Sequence, residues 1–400
     1  MRRPARVAAI LVALAVTGSL VYFGLVVSST PATRLTEPAT PVSRLTEPAT
    51  PADAGSSAVV PEGSLLMASP GCRSRLVSKE GEQDLGYTYA HEVSPDGSLI
   101  LAARGRIPRG CHRDLELLVL NPSTGRTTSI ARAGPNEILN DAAWSPDGSQ
   151  VAYLVSTHRG DPLEPGNGQP LSTRACVVEL GTRVSRCFPK VHAYFFDWAP
   201  DGATLVVDTA EDIRLIDIAN GDLSLLVPPD GGKSGGPALA KAGLGRPGQF
   251  TLTKWSSSGR YLATLVFLDG GTESAFVVPM VFTSTGDFVA LGQPSTEFAE
   301  WFEWSPVEDV LAYTQGRAPY LITDVYLLDP RTGAESLLVS SDGRDYPTIR
   351  GLEWSPSGRW LALAPLSPDR RDVLIIDRDG VERGRLPSTV LREPLRDWGR

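Results

Sequence analysis

The amino-acid sequence predicts an all-β protein: a six-bladed β-propeller of four-stranded antiparallel blades, preceded by one N-terminal transmembrane helix and a Pro/Thr-rich linker. Three observations carry this prediction. A five-residue motif recurs six times, its copies are evenly spaced, and the apolar segments between them are short and bounded by turn residues. One such unit cannot bury both of its faces, so a closed ring is the stable arrangement.

The motif reads Trp-Ser-Pro-Asp-Gly in its fullest form. Its six copies begin at Val93, Trp144, Trp198, Trp255, Trp304 and Trp354. The steps between them are 51, 54, 57, 49 and 50 residues, the length of a four-stranded blade with its loops. Pro presets φ in the turn and Gly supplies the permissive position after it, so each motif predicts a tight turn between the first and second strands.

The first, fourth and fifth copies depart from the motif in ways that should affect their turns or junctions. Val93 replaces Trp in the first, residues 256–259 lack Pro and Asp in the fourth, and Glu308 replaces Gly in the fifth. We expect these departures to weaken individual turns without changing the number of blades. Residues 64–79 are the uncertain part, since they could add a closing strand or begin a seventh blade.

The repeats resemble those of TolB-type propellers, the Trp-Ser-Pro-Asp-Gly variety of WD-like blades, over residues 87–387. The resemblance implies the propeller fold. It says little about function, because the family includes periplasmic scaffold domains, substrate-gating domains of serine peptidases and a few lyases. The chain ends too soon after the sixth motif to hold a peptidase domain of the gated type.

The N-terminus predicts export. Arg2, Arg3 and Arg6 precede an uncharged apolar run from Val7 to Val27, long enough as a helix to span a bilayer. We therefore expect a cytoplasmic tail (1–6), a transmembrane signal anchor (7–28) and an extracytoplasmic remainder. A signal peptide cleaved near Ala32 is the alternative.

Residues 29–62 predict a disordered stalk, followed by the propeller at 63–400. The segment repeats R-L-T-E-P-A-T-P with a period of ten and is rich in Pro and Thr, so it cannot form a core. It could act as a spacer through a cell wall or simply as a tolerated linker.

Cysteine usage also favours an exported protein. A turn at Gly181-Thr182 would place Cys176 opposite Cys187 on paired strands, close enough for a disulfide. Cys72 and Cys111 would then pair with each other. Metal ligation is the alternative, although no C-x-x-C spacing appears.

The longest connections should all emerge on one face of the ring. They are residues 104–113, 157–174, 228–249, 315–323 and 340–347. All fall between the second and third strands of a blade or between blades, and we call the face that carries them the long-loop face. Because binding residues concentrate on loops held by a rigid scaffold, this face is the predicted working surface. Blade junctions that merely tolerate insertions would give the same pattern. Both of the longest loops are rich in Gly and Pro, so we expect them to contribute little to the core.

A ring of polar and aromatic residues could line the channel mouth on that face. Its members, each four residues before a motif's first residue, are Tyr89, Asn140, Tyr194, Thr251, Glu300 and Arg350. Such a ring could hold a sugar, a peptide or a cation. A solvated rim without a ligand is the alternative interpretation.

The sequence predicts no catalytic site, metal site or cofactor. Ser234 lies in a G-x-S-x-G pattern, but the four histidines, His91, His112, His158 and His192, all precede it, and no two of them have ligand spacing. The formal net charge of −8 argues against nucleic acid as partner.

We therefore expect a monomeric, non-enzymatic, membrane-anchored propeller that binds a protein, peptide or glycan partner at the cell envelope. A lyase or glycan hydrolase acting at the channel mouth is one alternative. A sensor or ancillary domain of an envelope complex is the other.

Overall fold

The computed structural model describes residues 60–68, 73–86, 89–105, 115–160, 170–188, 192–209, 211–269, 277–295, 301–317, 322–342, 348–366, 372–386 and 395–399. They belong to one compact unit, Ala58–Arg400. The predicted tail, the anchor and the stalk up to residue 59 lie outside the described residues. Within the described ranges, no helix is long and apolar enough to cross a membrane. Val60, near the end of the predicted stalk, is fully buried against the propeller.

The described elements are almost all strands. In chain order they are β1 (Ser64–Ala68), β2 (Ser74–Ser78), β3 (Gly81–Asp84), β4 (Tyr89–Val93), β5 (Ile100–Arg104), β6 (Glu116–Leu120), β7 (Thr127–Arg132), β8 (Glu137–Trp144), β9 (Gln150–Thr157), β10 (Ser172–Glu179), β11 (Ser185–Cys187), β12 (Phe195–Trp198), β13 (Thr204–Asp208), β14 (Ile213–Asp217) and β15 (Leu223–Val227). They continue with α1 (Gly232–Lys241), β16 (Arg246–Trp255), β17 (Tyr261–Asp269), β18 (Val277–Thr283), β19 (Phe288–Leu291), β20 (Phe302–Trp304), β21 (Leu311–Arg317), β22 (Ile322–Asp329), β23 (Ala334–Ser340), β24 (Thr348–Trp354), β25 (Trp360–Leu366), β26 (Val373–Asp377), β27 (Glu382–Leu386) and β28 (Leu395–Gly399).

These strands form seven four-stranded antiparallel blades, so the prediction of six blades was wrong. Blades 1 to 6 are β4–β7, β8–β11, β12–β15, β16–β19, β20–β23 and β24–β27, and each contains one motif. The seventh, which we call the closing blade, has the order β28-β1-β2-β3. Its innermost strand comes from the C-terminus and its other three from the N-terminal end of the described chain. The first strands of successive blades contact one another around the ring, and β28 contacts both β24 and β4.

Four of the five motif Trp residues join their blade to the preceding one through burial and a hydrogen bond. Trp255 is only partly buried, and its indole N–H has no hydrogen-bond partner. The side chains of Trp144, Trp198, Trp304 and Trp354 are at least 93% buried. Each indole N–H donates to a backbone carbonyl on the first strand of the preceding blade, at 3.1–3.4 Å. Burying so large a side chain at these four junctions stabilises the ring mainly through apolar contact.

The motif turn is held by its own Ser and Asp. In blade 2, the Ser145 hydroxyl donates to Asp147 at 2.6 Å, and the Asp147 carboxylate also accepts the N–H of Ser149 at 3.0 Å. Gly148 has φ 71°, a conformation that favours glycine.

Two of the three blades that lack this Asp obtain a carboxylate from the next blade of the ring. In the third, blade 5, Val307 stands at the Asp position and the Ser305 hydroxyl has no hydrogen-bond partner. In blade 4, Ser258 stands at the Asp position, and its hydroxyl donates to Asp309 of blade 5 at 2.6 Å. In blade 6, the N–H of Ser357 donates to Glu62, just before β1 of the closing blade, at 2.9 Å. Asp309 and Glu62 both lie two residues before the second strand of their blade. The weakening expected for the turn of blade 4 is thus offset by a hydrogen bond between blades, and the turn of blade 6 has the same kind of contact.

The predicted Cys176–Cys187 disulfide is confirmed. Cys176 on β10 lies directly opposite Cys187 on β11, with the two Cα atoms 4.0 Å apart. Cys72 and Cys111 lie outside the described residues, so their pairing stays a prediction.

The connection 228–249 differs from the expected loop. It contains the ten-residue helix α1, and β16 begins inside it at Arg246. Leu239 of α1 is fully buried with Phe250, Met280 and Phe282 in the core between blades 3 and 4. The expectation that this segment contributes little to the core was therefore wrong.

Candidate binding site at the channel

The antiparallel topology places the long connections on one face. Every neighbouring pair of strands is antiparallel, so the turns after the first and third strands of a blade lie together and the remaining connections lie opposite. The first strand of each blade consequently begins at the long-loop face and ends at the motif turn. Residues that precede the first strands lie at the mouth of the channel.

The position immediately before the motif Trp, which we call the pre-Trp position, is rich in acidic residues. It is occupied in ring order by Glu92, Ala143, Asp197, Lys254, Glu303, Glu353 and, on β28, Asp397. None of these residues is among the site residues predicted from the sequence. All lie on the innermost strands, the edge of each sheet that faces the channel.

Two pre-Trp carboxylates bind the inner edge of the next blade. In blade 2, the Ser145 N–H donates to the Gln150 carbonyl, so the N–H of Trp144 points away from β9. That N–H donates to Glu92 at 2.7 Å, and the N–H of Trp255 donates to Asp197 at 2.8 Å. The two carboxylates thus accept hydrogen bonds from backbone N–H groups that have no partner within their own sheet.

Lys254 is the cation among these side chains. Its ammonium donates to the Glu303 carboxylate of the next blade. Burial opposes its charge, but Glu303, Glu353 and Asp197 together raise the pKa of Lys254 above its usual value. Lys254 therefore stays protonated and balances part of the negative charge.

Asp197 is half-buried in this surrounding of mixed charge. Burial raises its pKa to about 7, with Glu303 contributing in the same direction, while the Trp255 N–H and Lys254 act against the shift. Burial, more than the neighbouring charges, therefore accounts for the direction of the shift.

A second aspartate of blade 3 lies on the same face of that sheet. Asp208 pairs with Phe195, two residues before Asp197, so both carboxylates point toward blade 4. Asp208 is fully buried and accepts the N–H of Thr253 at 2.9 Å. Burial raises its pKa to about 7, and contact with Thr253 opposes the shift. Its second carboxylate oxygen makes no hydrogen bond of normal geometry, and neither does the Thr253 hydroxyl.

The structure places the six predicted rim residues in different environments. Tyr89 is half-buried, with its ring edge-to-face against His91 at 5.3 Å. Asn140 donates to the Ser156 hydroxyl, and Thr251 is 94% buried. Tyr194 is 43% exposed. Glu300 and the side chain of Arg350 lie outside the described part of the structure.

Bulges explain why these residues are not equivalent. The first strands of blades 1, 2, 4 and 6 contain a register shift, whereas those of blades 3 and 5 pair without one. At the same pairing position, blade 1 has Tyr89 but blade 3 has Phe195 rather than Tyr194. Counting back from the motif therefore reaches different depths in different blades. That the six residues bind a ligand stays a prediction.

Two exposed aromatic side chains lie at the channel mouth. Tyr194 directly precedes β12 of blade 3, and Trp301 directly precedes β20 of blade 5. They are 43% and 36% exposed, and they flank blade 4. The exposed apolar side chains Val184, Val307 and Val381 lie instead on the short-turn face.

The other sequence candidates gain little from the structure. Ser234 belongs to α1, which follows β15 after a four-residue turn, but its side chain lies outside the described atoms. One N–H group at the start of the helix, that of Gly232, donates to the Asp230 carboxylate at 3.0 Å. Among the described residues, no group of three or more His, Cys, Asp or Glu side chains could hold a metal ion.

Comparison with solved structures identifies the fold. The β-propeller domain of Cps50 (Swd1) from Myceliophteria thermophila has a TM-score of 0.51 at 13% identity, covering 76% of this chain and 87% of that one. Oligogalacturonate lyase from Vibrio parahaemolyticus has a TM-score of 0.53 at 11% identity, covering 76% and 89%. The chain folds as a β-propeller.

A narrower classification is not reached. TolB from Acinetobacter baumannii has a TM-score of 0.45 at 14% identity, covering 84% of this chain and 67% of that one, which is too low to carry an argument. No family model matches the sequence, and no curated protein matches it. The resemblance to TolB-type repeats thus holds for the propeller fold. At these identities the similar structures, which include both enzymes and other proteins, are evidence for fold alone.

Proposed function

We propose that this chain is a non-enzymatic binding protein whose long-loop face holds a protein or peptide partner at the channel mouth. The observation that carries the proposal is the exposure of Trp301 and Tyr194 there. Exposed Trp and Tyr side chains are enriched in the energetically dominant parts of protein interfaces, since they bury a large area and lose few rotamers. A seven-bladed ring supplies the rigid support that such contacts need.

We further propose that the propeller is exported and held at the membrane by its N-terminal segment. The apolar run at 7–28 supports this, and so does the Cys176–Cys187 disulfide, because disulfides persist in oxidising compartments outside the cytoplasm. Cell fractionation followed by protease treatment of intact cells tests the proposal. A propeller that resists added protease until the cells are lysed would refute it.

The binding proposal can be tested with a random peptide library displayed on phage and panned against the purified full chain. Peptides that bind should lose affinity on Trp301→Ala and on Tyr194→Ala. Truncation of an aromatic anchor costs about 2 kcal/mol, or roughly 30-fold in Kd. Val307→Ala, which changes an exposed apolar residue on the short-turn face, is the matched control.

Two results would contradict the proposal. Selected peptides that lose affinity on Val307→Ala but not on Trp301→Ala would place binding on the other face. Failure to select peptides, combined with a glycan on an array whose binding depends on Trp301, would replace the peptide partner by a carbohydrate.

A further inference from the structure

We infer that the partner is positively charged: a peptide segment that presents an Arg or Lys side chain to the channel mouth between blades 3 and 5. This inference rests on the proposed function and specifies its partner. It combines the charge of the pre-Trp residues, the exposed aromatic side chains and the spacing between the two.

The pre-Trp side chains carry more negative than positive charge. Among the pre-Trp residues with described side chains, four are carboxylates and one is an ammonium group. Lys254 is already bonded to Glu303. A cation that entered from the mouth would therefore meet an excess of negative charge, whereas an acidic segment would be repelled.

Two buried or half-buried carboxylates of blade 3, those of Asp208 and Asp197, also favour a positive ligand. Asp208 is fully buried beside the inner edge of β16, and one of its carboxylate oxygens accepts no hydrogen bond of normal geometry. Next to it along the same edge lies Asp197, whose pKa is raised by burial and by Glu303. A nearby cation would stabilise the ionised form of both groups, so the site gains from a positive ligand.

The spacing of Trp301 and Glu303 on blade 5 favours an Arg or Lys side chain. Trp301 and Glu303 are two residues apart on blade 5, so their side chains lie on the same side of the chain, about 6–7 Å apart along the strand. This spacing suits an Arg or Lys side chain, whose apolar stem can cover the Trp ring while its head approaches the carboxylate. On blade 3, Tyr194 and Asp197 are three residues apart, so their side chains point to opposite sides of the strand and do not repeat this arrangement.

The experiment compares two peptides on the full chain. The probes are fluorescein-labelled decapeptides of Gly and Ser with three arginines, and the same peptides with citrulline, which keeps the shape of Arg but lacks its charge. Fluorescence anisotropy at 0.15 M salt should show the arginine peptide binding about tenfold more tightly, the scale expected for one paired charge. Glu303→Gln should reduce binding of the arginine peptide by a similar factor. Asp379→Asn, the same kind of charge change on the exposed short-turn face, should leave it unchanged.

Each outcome decides the inference. Equal binding of the citrulline and arginine peptides would overturn it, as would equal losses for Glu303→Gln and Asp379→Asn. If library peptides bind through Trp301 but neither Arg nor Lys is enriched among them, the proposed function stands and the inference fails. If no peptide binds at the mouth, both fail. The Glu303→Gln protein is accepted as folded only when its thermal unfolding matches that of Asp379→Asn. Otherwise Asp197→Asn, which keeps an acceptor for the Trp255 N–H, takes its place.

Discussion

Replacing Asp208 by Asn should make the stability of the propeller less dependent on pH. The folded-state pKa of Asp208 is raised to about 7 from 3.8 by burial. A carboxyl group with a raised pKa contributes stability that is fully present below its unfolded pKa and is lost as pH rises through the folded pKa. The wild-type protein should therefore become less stable between about pH 4 and pH 7. Asn at this site does not titrate and still offers an oxygen to the Thr253 N–H.

The size of the effect follows from the shift. A difference of about three pH units at about 1.4 kcal/mol per unit corresponds to roughly 4 kcal/mol of unfolding free energy, an upper bound because the protein can relax around the charge. Asp208→Asn should already be more stable than wild type by about 2 kcal/mol at pH 5, because pH 5 lies about one unit above the unfolded pKa, and the difference should reach its full size by pH 8. The measurement is the urea midpoint at pH 5, 6, 7 and 8, followed by tryptophan fluorescence.

The control is the exposed residue Asp379, since Asp379→Asn makes the same change without burial. Its stability should vary with pH as the wild type does. An Asp208→Asn protein with an unchanged pH dependence would refute the reasoning, because burial of this carboxylate would then not be the source of the slope. The pKa of Asp197 is also raised to about 7, so the Asp208→Asn variant should keep a smaller dependence of stability on pH.

Three further predictions concern how the ring is held together. Asp309→Ala should lower the free energy of unfolding by about 2 kcal/mol, because the buried carboxylate accepts hydrogen bonds from Ser258 and Arg260 of blade 4; a midpoint shift no larger than that of Asp379→Ala would contradict this. A chain that ends at residue 394 lacks β28 and should lose cooperative unfolding or self-associate through the exposed edge of β1; an unchanged monomer on light scattering would show that the closing strand is dispensable. Replacing Cys176 by Ser should cost about 2–3 kcal/mol under oxidising conditions and nothing after reduction; equal losses in both states would assign the effect to packing instead of the disulfide.

The blade count illustrates what the sequence could and could not predict. The motif marks the turn between the first and second strands of a blade. The closing blade takes its first strand from residues 395–399 and its second from residues 64–68, so the chain has no such turn there. Counting turns must therefore miss one blade. A signal was nevertheless present, because Asp397-Trp398 repeats the start of a motif 44 residues after Trp354, and Leu65 pairs with Trp398 as Leu205 pairs with Trp198.

The helix α1 could not be predicted from local propensity. Its sequence, Gly232–Lys241, contains three glycines and a proline, residues that disfavour helix. The helix forms because Leu239 is buried against blade 4, and Gly235 allows close approach, since an added Cβ would lie 3.1 Å from Met280. Tertiary packing thus overrides the local signal. The opposite holds for the Cys176–Cys187 pair, where hairpin register was sufficient.

The six residues found by counting back from the motif do not occupy equivalent positions around the ring. Counting four residues back from the motif assumes that every first strand has the same number of residues in register. Bulges break that assumption in blades 1, 2, 4 and 6. The pre-Trp residue lies between the motif and the nearest bulge of its strand, so it occupies an equivalent position in every blade. Aligning the repeats on that residue would have revealed the acidic preference at Glu92, Asp197, Glu303 and Glu353.

The Glu62 carboxylate links the N-terminal segment of the propeller to closure of the ring. Glu62 completes the motif turn of blade 6, and hydrogen bonds from Ser355 and Ser357, with the charge of Arg359, hold the pKa of Glu62 below its usual value although burial acts against this. Val60 is buried two residues earlier in the chain. The ring is therefore closed by two separate devices, β28 paired with β1 and Glu62 bound to blade 6. We predict that Glu62→Gln, which cannot carry the charge, destabilises the protein by about 1 kcal/mol at pH 7 and by less at pH 3, where the wild-type carboxyl is itself partly protonated. Thermal unfolding at both pH values measures this. A loss that is the same at pH 3 and pH 7 would show that shape, and not the ionised carboxylate, fastens the segment.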